Sequence, residues 1–544
     1  MSDLDDVSEP LDSLAAIAAR GASTQEFAVL EKQPPPLLPD IRLPAFESGN
    51  AHAFQPRAAH TAESLASDLE ALRQQTAPFL ENLAPPVPNH RIALTLQEAD
   101  WRLEPANEWQ KIPLPHYGGP TGRARAWYRM RVTLDQSFLN ASSLWVCFGG
   151  VDYHAAVFLN GDLVGTHEGF FSPFEFDVSR SARLGENELL VRVDNDAICQ
   201  GFRGQYGDKI YAATGLGWDE PGAGWHHCPP GMGIHRPVRF ETRPAVHLGS
   251  LFVRPLLESE SAELWVEVFN QQDASHLVEI EVVVHGQNFP CAPMVLEDIP
   301  ELLPADHGVN RYRISLPMEK ARLWSLETPW LYAVQVLLKS GGEEDAASVT
   351  FGMRSFLLDE TPDAEGRRGR FFLNGQPIRL RGANTMGHEQ QCVFRGDLDQ
   401  LRDDILLAKL TNMNFLRFTQ RPVEPEVYDM CDRLGLMAQT DLPLFAHLRR
   451  NQFSEAVRQS SEMERLIRAH PSSVLISYIN EPFPLAWGDK SHRHLTRKEL
   501  ESFFVAANQA VWVENPDRQI KPIDGDYEPP GPGLPDGHLS LIHI

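Results

Sequence analysis

Cysteine is scarce in this chain, and its cysteines form no recognisable framework. Six of them are spread over the 544 residues: Cys147, Cys199, Cys228, Cys291, Cys392 and Cys431. No Cys-x-x-Cys pair occurs among them, so neither a disulfide scaffold nor a zinc site is indicated. We therefore expect buried free thiols in a reducing compartment, with no metal ion or other cofactor.

The chain also lacks an excess of basic charge and any long apolar run. The chain has 49 Lys and Arg against 74 Asp and Glu, a formal net charge of −25. Nucleic acids and anionic membranes attract basic surfaces, so neither is an expected partner. No apolar run approaches the roughly 18 residues of a membrane span, and the acidic segment Met1–Glu9 lacks the basic and apolar regions of a signal peptide. The sequence predicts a cytoplasmic protein of several domains.

Proline-rich segments mark residues 1–90 as a leader. Pro34–Pro39 and Pro85–Pro88 are typical of extended linkers. Between them, Leu65, Leu69 and Leu72 recur at helical spacing. We expect one amphipathic helix that packs on the body of the protein, without a role in chemistry.

Two regions of short alternating strands follow, at residues 91–245 and 246–356. In the first region, Asn160-Gly161 separates two apolar pairs, which is a strong hairpin signal. The alternation predicts a jelly-roll β-sandwich. The second region, about a hundred residues of similar strands, predicts an immunoglobulin-like β-sandwich without a cysteine framework.

From residue 357 the pattern changes to alternating strands and helices, which indicates a parallel (β/α) barrel. We identify five barrel strands between 357 and 538. A complete barrel has eight βα units in roughly 250 residues, so we expect only its first half here. Residues 539–544, Leu-Ser-Leu-Ile-His-Ile, are interpreted as a translated sequencing adaptor and excluded from the fold.

The most informative stretch is Val474–Pro482. Five of the six residues Val474–Ile479 are apolar or aromatic, as in a buried parallel strand, and Asn480-Glu481 follows directly. A carboxylate is thereby placed at the carboxyl end of a barrel strand, the face where catalysis occurs in such barrels. For an isolated Asn-Glu, the preferred interpretation would be a Glu that caps a helix or pairs with an Arg, and only its context favours a catalytic role.

Several motifs resemble the family 2 glycoside hydrolases, which include β-galactosidases, β-glucuronidases and β-mannosidases. The motifs are Phe148–Asp177 and Gly233–Val238 in the first β-region, Leu323–Tyr332 and Phe351–Arg354 in the second, and His470–Glu481 in the barrel. The resemblance covers about residues 91–538. It implies a retaining, exo-acting β-glycoside hydrolase, whose partner is a β-linked sugar or oligosaccharide.

The resemblance assigns roles to individual residues. Glu481 would be the catalytic acid/base, and Asn480 would bind the sugar 2-hydroxyl. Further substrate-binding candidates are Arg417, Asn384, Asp441, Gln420 and Trp487. Gln420 stands where the family usually has His. The family's nucleophile, a Glu of a later strand, is expected beyond residue 538, so we expect the 544 residues alone to be inactive.

Alternatives remain open at several of these positions. Arg417 and Asp441 could form structural ion pairs, and a lone Trp is more often a core residue. A metal site at Trp225–Cys228 with His235 is disfavoured because adjacent His-His-Cys lacks ligand spacing. Three acids, Asp524, Asp526 and Glu528, are unlikely substitutes for the nucleophile. A non-catalytic carbohydrate-binding or structural protein derived from the family is the alternative function.

Overall fold

The computed structural model describes residues 61–525, except 119, 121, 200–205, 212–230, 360, 362–368, 386 and 483–488. Of His388, only the backbone is described. Several predictions therefore lie outside the described residues: those for residues 1–60, Trp225–Cys228, Trp487, Asp526, Glu528 and 539–544. No helix in the described ranges is long and apolar enough to cross a membrane.

The end of the leader forms the predicted helix. Helix α1 (Ala62–Thr76) begins after Thr61, whose hydroxyl caps it by accepting a 3.1 Å hydrogen bond from the Ser64 N–H. Leu69 and Leu72 pack against the main hydrophobic core. A short 3₁₀ helix, Ala77–Leu80, follows.

The first β-domain is a sandwich of two antiparallel sheets. Its described strands are β1 (Ala93–Leu96), β2 (Glu98–Leu103), β3 (Gln110–Pro113), β4 (Ala124–Leu134), β5 (Ser143–Phe148), β6 (Val151–Asp152), β7 (His154–Leu159), β8 (Asp162–Glu168), β9 (Phe174–Asp177), β10 (Gly185–Asn195), β11 (Gly233–Ile234) and β12 (Val238–Arg243), with helix α2 (Gln136–Leu139) after β4. The sheet orders are β1-β12-β5-β9 and β3-β2-β4-β10-β7-β8, with β6 and β11 as a separate pair. One core lies between the two sheets because alternate residues of β4 and β10 point inward.

The hairpin signal in this domain is confirmed. Strands β7 and β8 pair antiparallel across Asn160 and Gly161. Both turn residues have positive φ, 52° and 94°, as the tight two-residue hairpin turn requires.

The second β-domain is the smaller sandwich. Its strands are β13 (Val246–Leu256), β14 (Ser261–Asn270), β15 (His276–Gly286), β16 (Met294–Val295), β17 (Leu303–Ala305), β18 (Gly308–Pro317), β19 (Tyr332–Ser340) and β20 (Glu343–Phe351). One sheet has the order β13-β14-β18 and the other β16-β15-β19-β20, with β17 on β15. The alternating residues of both sheets enclose a second core.

The third region contains parallel strands separated by helices. A small sheet, β21 (Phe356–Asp359), β22 (Arg370–Leu373) and β23 (Gln376–Ile378), precedes it. The parallel strands are β24 (Gly382–Thr385), β25 (Phe415–Phe418), β26 (Met437–Asp441), β27 (Ser473–Ser477), β28 (Ile479–Asn480), β29 (Gln519–Ile520) and β30 (Ile523–Asp524). The helices are α3 (His388–Arg395), α4 (Leu398–Leu410), α5 (Pro425–Leu434), α6 (Phe453–Ile467) and α7 (Arg497–Glu514). The parallel strands form two sheets, β24-β25-β26-β27-β29 and β28-β30, so successive βα units lie side by side as in a βα barrel. The predicted fold class is confirmed.

Two local expectations were wrong. The last two predicted strands are each divided, into β27 with β28 and β29 with β30, because Pro522 lies at the break. The N–H groups of Tyr478 and Ile479 both donate to the one Pro522 carbonyl. Cys291 is exposed rather than buried.

The jelly roll packs directly on the barrel. Tyr153, Phe170 and Ile210 of the first domain belong to the same hydrophobic cluster as the barrel residues Phe418 and Tyr428. The barrel strands are therefore held on one side by the first β-domain, which fixes their position relative to it.

Candidate active site

The candidate site lies at the carboxyl ends of the parallel strands. Asn384 is on β24, Arg417 on β25, Asp441 at the end of β26, and Asn480 on β28. Asn384 is in register with Arg417, and Asn480 with Asp524. All are buried, because both faces of these strands are covered. The structure thus brings together four of the substrate-binding candidates and Glu481, which follows Asn480.

Arg417 is the centre of this cluster. Its Nε and Nη2 donate to Asp441 Oδ2 at 2.9 and 2.6 Å, and Nη2 also donates to Asn480 Oδ1 at 2.7 Å. Its Nη1 lies 3.3 Å from Asp524 Oδ1. The side chain is 0% exposed, so the guanidinium is held rigidly by two carboxylates and an amide.

A second group of polar side chains fixes the two carboxylates. The Gln439 amide donates to Asp441 Oδ1 at 2.9 Å and to Asp524 Oδ2 at 2.8 Å. Lys521 Nζ lies 3.3 Å from Asp524 Oδ2. Two cations thereby face two anions in a buried volume, which is the condition under which buried charge is tolerated.

The electrostatics of the two cations differ. Burial opposes the charge on Arg417, but the Asp441 and Asp524 carboxylates outweigh it and raise the pKa of Arg417. For Lys521, burial dominates over the attraction of Asp524 and lowers its pKa. Arg417 is consequently the stronger positive centre of the site.

Glu481 is placed by its backbone. The Glu481 N–H donates to the Asp524 carbonyl at 2.8 Å, and Asn480 exchanges backbone hydrogen bonds with Leu444 and Ala446. Glu481 has φ +48°, a left-handed conformation that costs a non-glycine residue about 1–3 kcal/mol. The surrounding hydrogen bonds hold this turn, which ends the strand and directs the chain to Pro482. The Glu481 carboxyl is buried beside the Arg417 cluster, and its charge contributes to the raised pKa of Arg417.

Two further candidates present amide oxygens that no described residue satisfies. Gln420 is also left-handed, at φ +64°, because its N–H donates to Asp441 Oδ2 at 3.0 Å. Its buried Oε1, and Oδ1 of Asn384, have no hydrogen-bond partner among the described residues. Buried unsatisfied oxygens at a strand end are suited to accept hydrogen bonds from a ligand. Trp487 and the side chain of His388 lie outside the described residues.

Gln439 and Lys521 were missed by sequence reasoning, and Asp524 was set aside as a substitute nucleophile. A signal for Gln439 exists, since it lies two positions before Asp441 in a predicted strand and therefore on the same side of that strand. Asp524 ends its strand in the same way that Asn480 ends β28. A buried polar side chain needs a partner. Arg417 and Lys521 are the partners of Asp524, and the carboxylates of Asp441 and Asp524 are the partners of Gln439.

The arrangement suits recognition of a hydroxyl-rich ligand beside a proton-transfer group. A carboxyl, two carboxamides with free oxygens and a fixed arginine converge at one end of the barrel. Within the described residues, no group of three or more His, Cys, Asp or Glu is placed to hold a metal ion.

Comparisons with known proteins agree with this architecture. Three family models match: "Glycosyl hydrolase 2 galactose-binding domain-like" at residues 118–203, "Glycosyl hydrolases family 2" at 246–354, and "Glycosyl hydrolases family 2, TIM barrel domain" at 365–498. They follow the same order as the two sandwiches and the barrel strands.

Individual relatives share part of the chain. A β-galactosidase of Pectobacterium atrosepticum is 26% identical over 409 residues, which is 70% of this chain and 36% of that protein. Among solved structures, a β-glucuronidase of Bacteroides uniformis superposes with a TM-score of 0.61 at 23% identity, covering 79% of this chain and 52% of the other. A β-D-mannosidase of Dictyoglomus thermophilum superposes with a TM-score of 0.64 at 20% identity, covering 79% and 57%.

The chain spans 36–48% of the length of the curated relatives it matches. Within that length the family-specific regions are consecutive and include both β-domains and the barrel strands that carry Arg417 and Glu481. By its domain order and its sequence, the chain belongs to glycoside hydrolase family 2.

Proposed function

We propose that the protein carrying this chain is a retaining, exo-acting hydrolase of β-glycosides. The observation that carries the proposal is the position of Asn480-Glu481, at a strand end beside the Arg417 cluster. Relatives named as β-galactosidase, β-glucuronidase and β-mannosidase support a terminal β-linked sugar as the substrate. The choice among these sugars is left to assay, and the cytoplasmic location remains a prediction.

In this mechanism Glu481 protonates the glycosidic oxygen of the leaving group and later removes a proton from the attacking water. Asn480 binds the sugar 2-hydroxyl through its amide. Its Oδ1 already accepts a hydrogen bond from Arg417, so Nδ2 is the group that points to the ligand. Arg417 acts as a positioning residue, because its donors are directed at Asp441, Asp524 and Asn480.

The nucleophile must be a second carboxylate about 5 Å from Glu481. Asp441 and Asp524 are unsuitable for this role. Arg417 engages both of them, which lowers the electron density that a nucleophilic oxygen needs. We therefore propose that a carboxylate other than these two attacks the anomeric carbon.

The test is the dependence of Glu481→Gln on the leaving group. The glutamine keeps the size of the side chain but cannot donate a carboxylic proton. We expect kcat/KM to fall by roughly 10²–10⁴-fold for alkyl β-glycosides, which need protonation. Activated aryl β-glycosides need little protonation, so kcat/KM should fall much less for them.

Glu514→Gln is the matched control. Glu514 is also buried, but it pairs with Arg465 and Arg468, away from the strand ends. This variant should lose stability without any leaving-group dependence. Equal losses for alkyl and aryl substrates in Glu481→Gln would remove Glu481 from the acid/base role. Sugar binding without turnover of any β-glycoside by the full-length protein that carries this chain would instead support a non-catalytic carbohydrate-binding protein.

A further inference from the structure

Arg421 is a buried cation whose terminal nitrogens lack partners. Its side chain is 1% exposed, and neither Nη1 nor Nη2 makes a hydrogen bond to any described residue. An arginine side chain stays protonated in proteins, so it cannot lose its charge to avoid burial. Buried guanidinium nitrogens without a hydrogen-bond acceptor are unfavourable, which indicates that an acceptor for Nη1 and Nη2 is missing.

The surroundings of Arg421 add positive character. A Cβ atom placed on Gly387 would lie only 2.3 Å from Arg421 Nη2. Gly387, at φ +90°, is the residue that caps the N-terminus of α3. A helix N-terminus carries a partial positive charge, and glycine has no side chain with which to cap it. Two electropositive groups therefore face each other.

The Gln390 side chain completes the cluster. It is 0% exposed, and both its amide nitrogen and its amide oxygen lack hydrogen-bond partners among the described residues. Its Nε2 lies 3.7 Å from the same Cβ position on Gly387. A second unsatisfied donor is thus buried close to Arg421 Nη2.

The neighbouring carboxylates make no hydrogen bond to the terminal nitrogens of Arg421. Glu424 feels the charge of Arg421, but its Oε1 lies 3.7 Å from Arg236 Nη1. Glu389, in the first turn of α3, lies near Cys431, where its charge is one of those that raise the pKa of the thiol after burial and Asp432. Neither acid forms a hydrogen bond with the terminal nitrogens of Arg421.

We propose that Arg421, Gln390 and the N-terminus of α3 bind a small oxyanion: a carboxylate, phosphate or sulfate. The planar guanidinium matches two oxygens of such an anion, and helix N-termini bind the same groups. Arg421 directly follows Gln420, whose left-handed backbone donates to Asp441. The bound anion would fix this loop, and with it one wall of the candidate active site.

The oxyanion has two possible sources, a free anion or the carboxylate of a uronic acid. The test is thermal unfolding of the whole chain in a zwitterionic buffer, titrated separately with phosphate, sulfate, acetate, glucuronate and glucose. We expect a saturable rise of about 3 °C in the unfolding temperature with the free anions. A rise with glucuronate alone would identify the sugar carboxylate as the source. Glucose should have no effect on the Arg421 site.

Arg421→Met should abolish the saturable rise, and in the anion-free buffer it should unfold at the wild-type temperature or above, because an uncompensated buried charge is removed. Arg433→Met is the matched control, since Arg433 donates to the Leu80 carbonyl and to Asn82 and pairs with Asp429. It should destabilise the protein and keep the anion response.

A second variant covers the case in which Arg421→Met does not fold. Gln390→Leu keeps the guanidinium and removes one donor, so the half-saturating anion concentration should rise about tenfold. The proposal is overturned if no anion, glucuronate included, raises the wild-type unfolding temperature. It is also overturned if Arg421→Met, or Gln390→Leu where the first does not fold, responds as the wild type does.

Discussion

Arg417 and Arg421 are four residues apart and equally buried, yet their environments are opposite. Arg417 is bound by Asp441, Asp524 and Asn480. The terminal nitrogens of Arg421 have no hydrogen-bond partner in the described part of the chain. The strand that carries Arg417 directs it among the carboxyl ends of its neighbours, where acids converge. Arg421 lies beyond the turn at Gln420, beside Gly387 and the start of α3.

The difference separates two uses of the same side chain. Arg417 has its counter-charges within the protein, so its function is to hold Asn480 and the two acids in place. The terminal nitrogens of Arg421 have no acceptor within the described ranges, which is the state of a site made for a ligand. Burial alone therefore does not identify a functional arginine. A functional arginine is identified by which of its nitrogens have hydrogen-bond partners within the protein.

The largest effect should come from Arg417→Met. This change leaves Asp441 buried without its cation and Asp524 with Lys521 alone, a loss of about 3–5 kcal/mol. Arg421→Met, measured in the same anion-free buffer, should cost nothing or stabilise. The measurement is the urea midpoint of barrel unfolding for both variants. Equal destabilisation by the two changes would mean that Arg421 has an internal partner, and the comparison would fail.

The positions of Arg417, Asp441 and Asn480 could be anticipated from sequence, because each lies in or at the end of a short predicted strand. The carboxyl ends of parallel strands meet at one face, so residues at those ends must approach one another. The order of two sandwiches and a barrel could likewise be predicted from the change in hydrophobic period at residue 357.

Other features depend on contacts between distant segments. Pro522, at the break between β29 and β30, is visible in the sequence. Its effect is not, because it depends on the hydrogen bonds that Tyr478 and Ile479 of a distant segment donate to the Pro522 carbonyl. Gln439 is polar because two acids from different strands converge on it. The burial of Arg421 depends on the close approach of Gly387, which no local pattern indicates.

A smaller effect is expected for Asn480→Ala, which tests whether the Arg417 cluster acts through Asn480. The change removes the acceptor of a 2.7 Å bond from a charged donor, worth about 1.5–3 kcal/mol. We expect kcat/KM to fall about 10–100-fold for glycosides with a 2-hydroxyl, and much less for 2-deoxy analogues. Asn508→Ala is the control. Asn508 lies on α7 and accepts a hydrogen bond from the hydroxyl of Tyr478, two residues before Asn480. If Asn480→Ala lowers both substrate types equally, Asn480 has no contact with the 2-hydroxyl.

The smallest expected effect concerns Glu424, the acid that could replace the proposed anion at Arg421. Glu424 is 4% exposed, and burial raises the pKa of its carboxyl although Arg236 and Arg421 oppose the shift. The folded protein therefore holds this proton at pH values where the unfolded chain has released it. The stability that this group contributes is complete below the usual carboxyl pKa and is lost as the pH rises towards the raised value, with a slope of at most about 1.4 kcal/mol per pH unit.

Glu424→Gln should flatten that decline and leave the anion response of Arg421 unchanged, as measured by thermal unfolding across pH. Glu426→Gln, which removes the more exposed partner of Arg236, controls for disturbance of Arg236. If Glu424→Gln instead strengthens anion binding markedly, Glu424 competes for Arg421, and the contrast between the two arginines is one of degree.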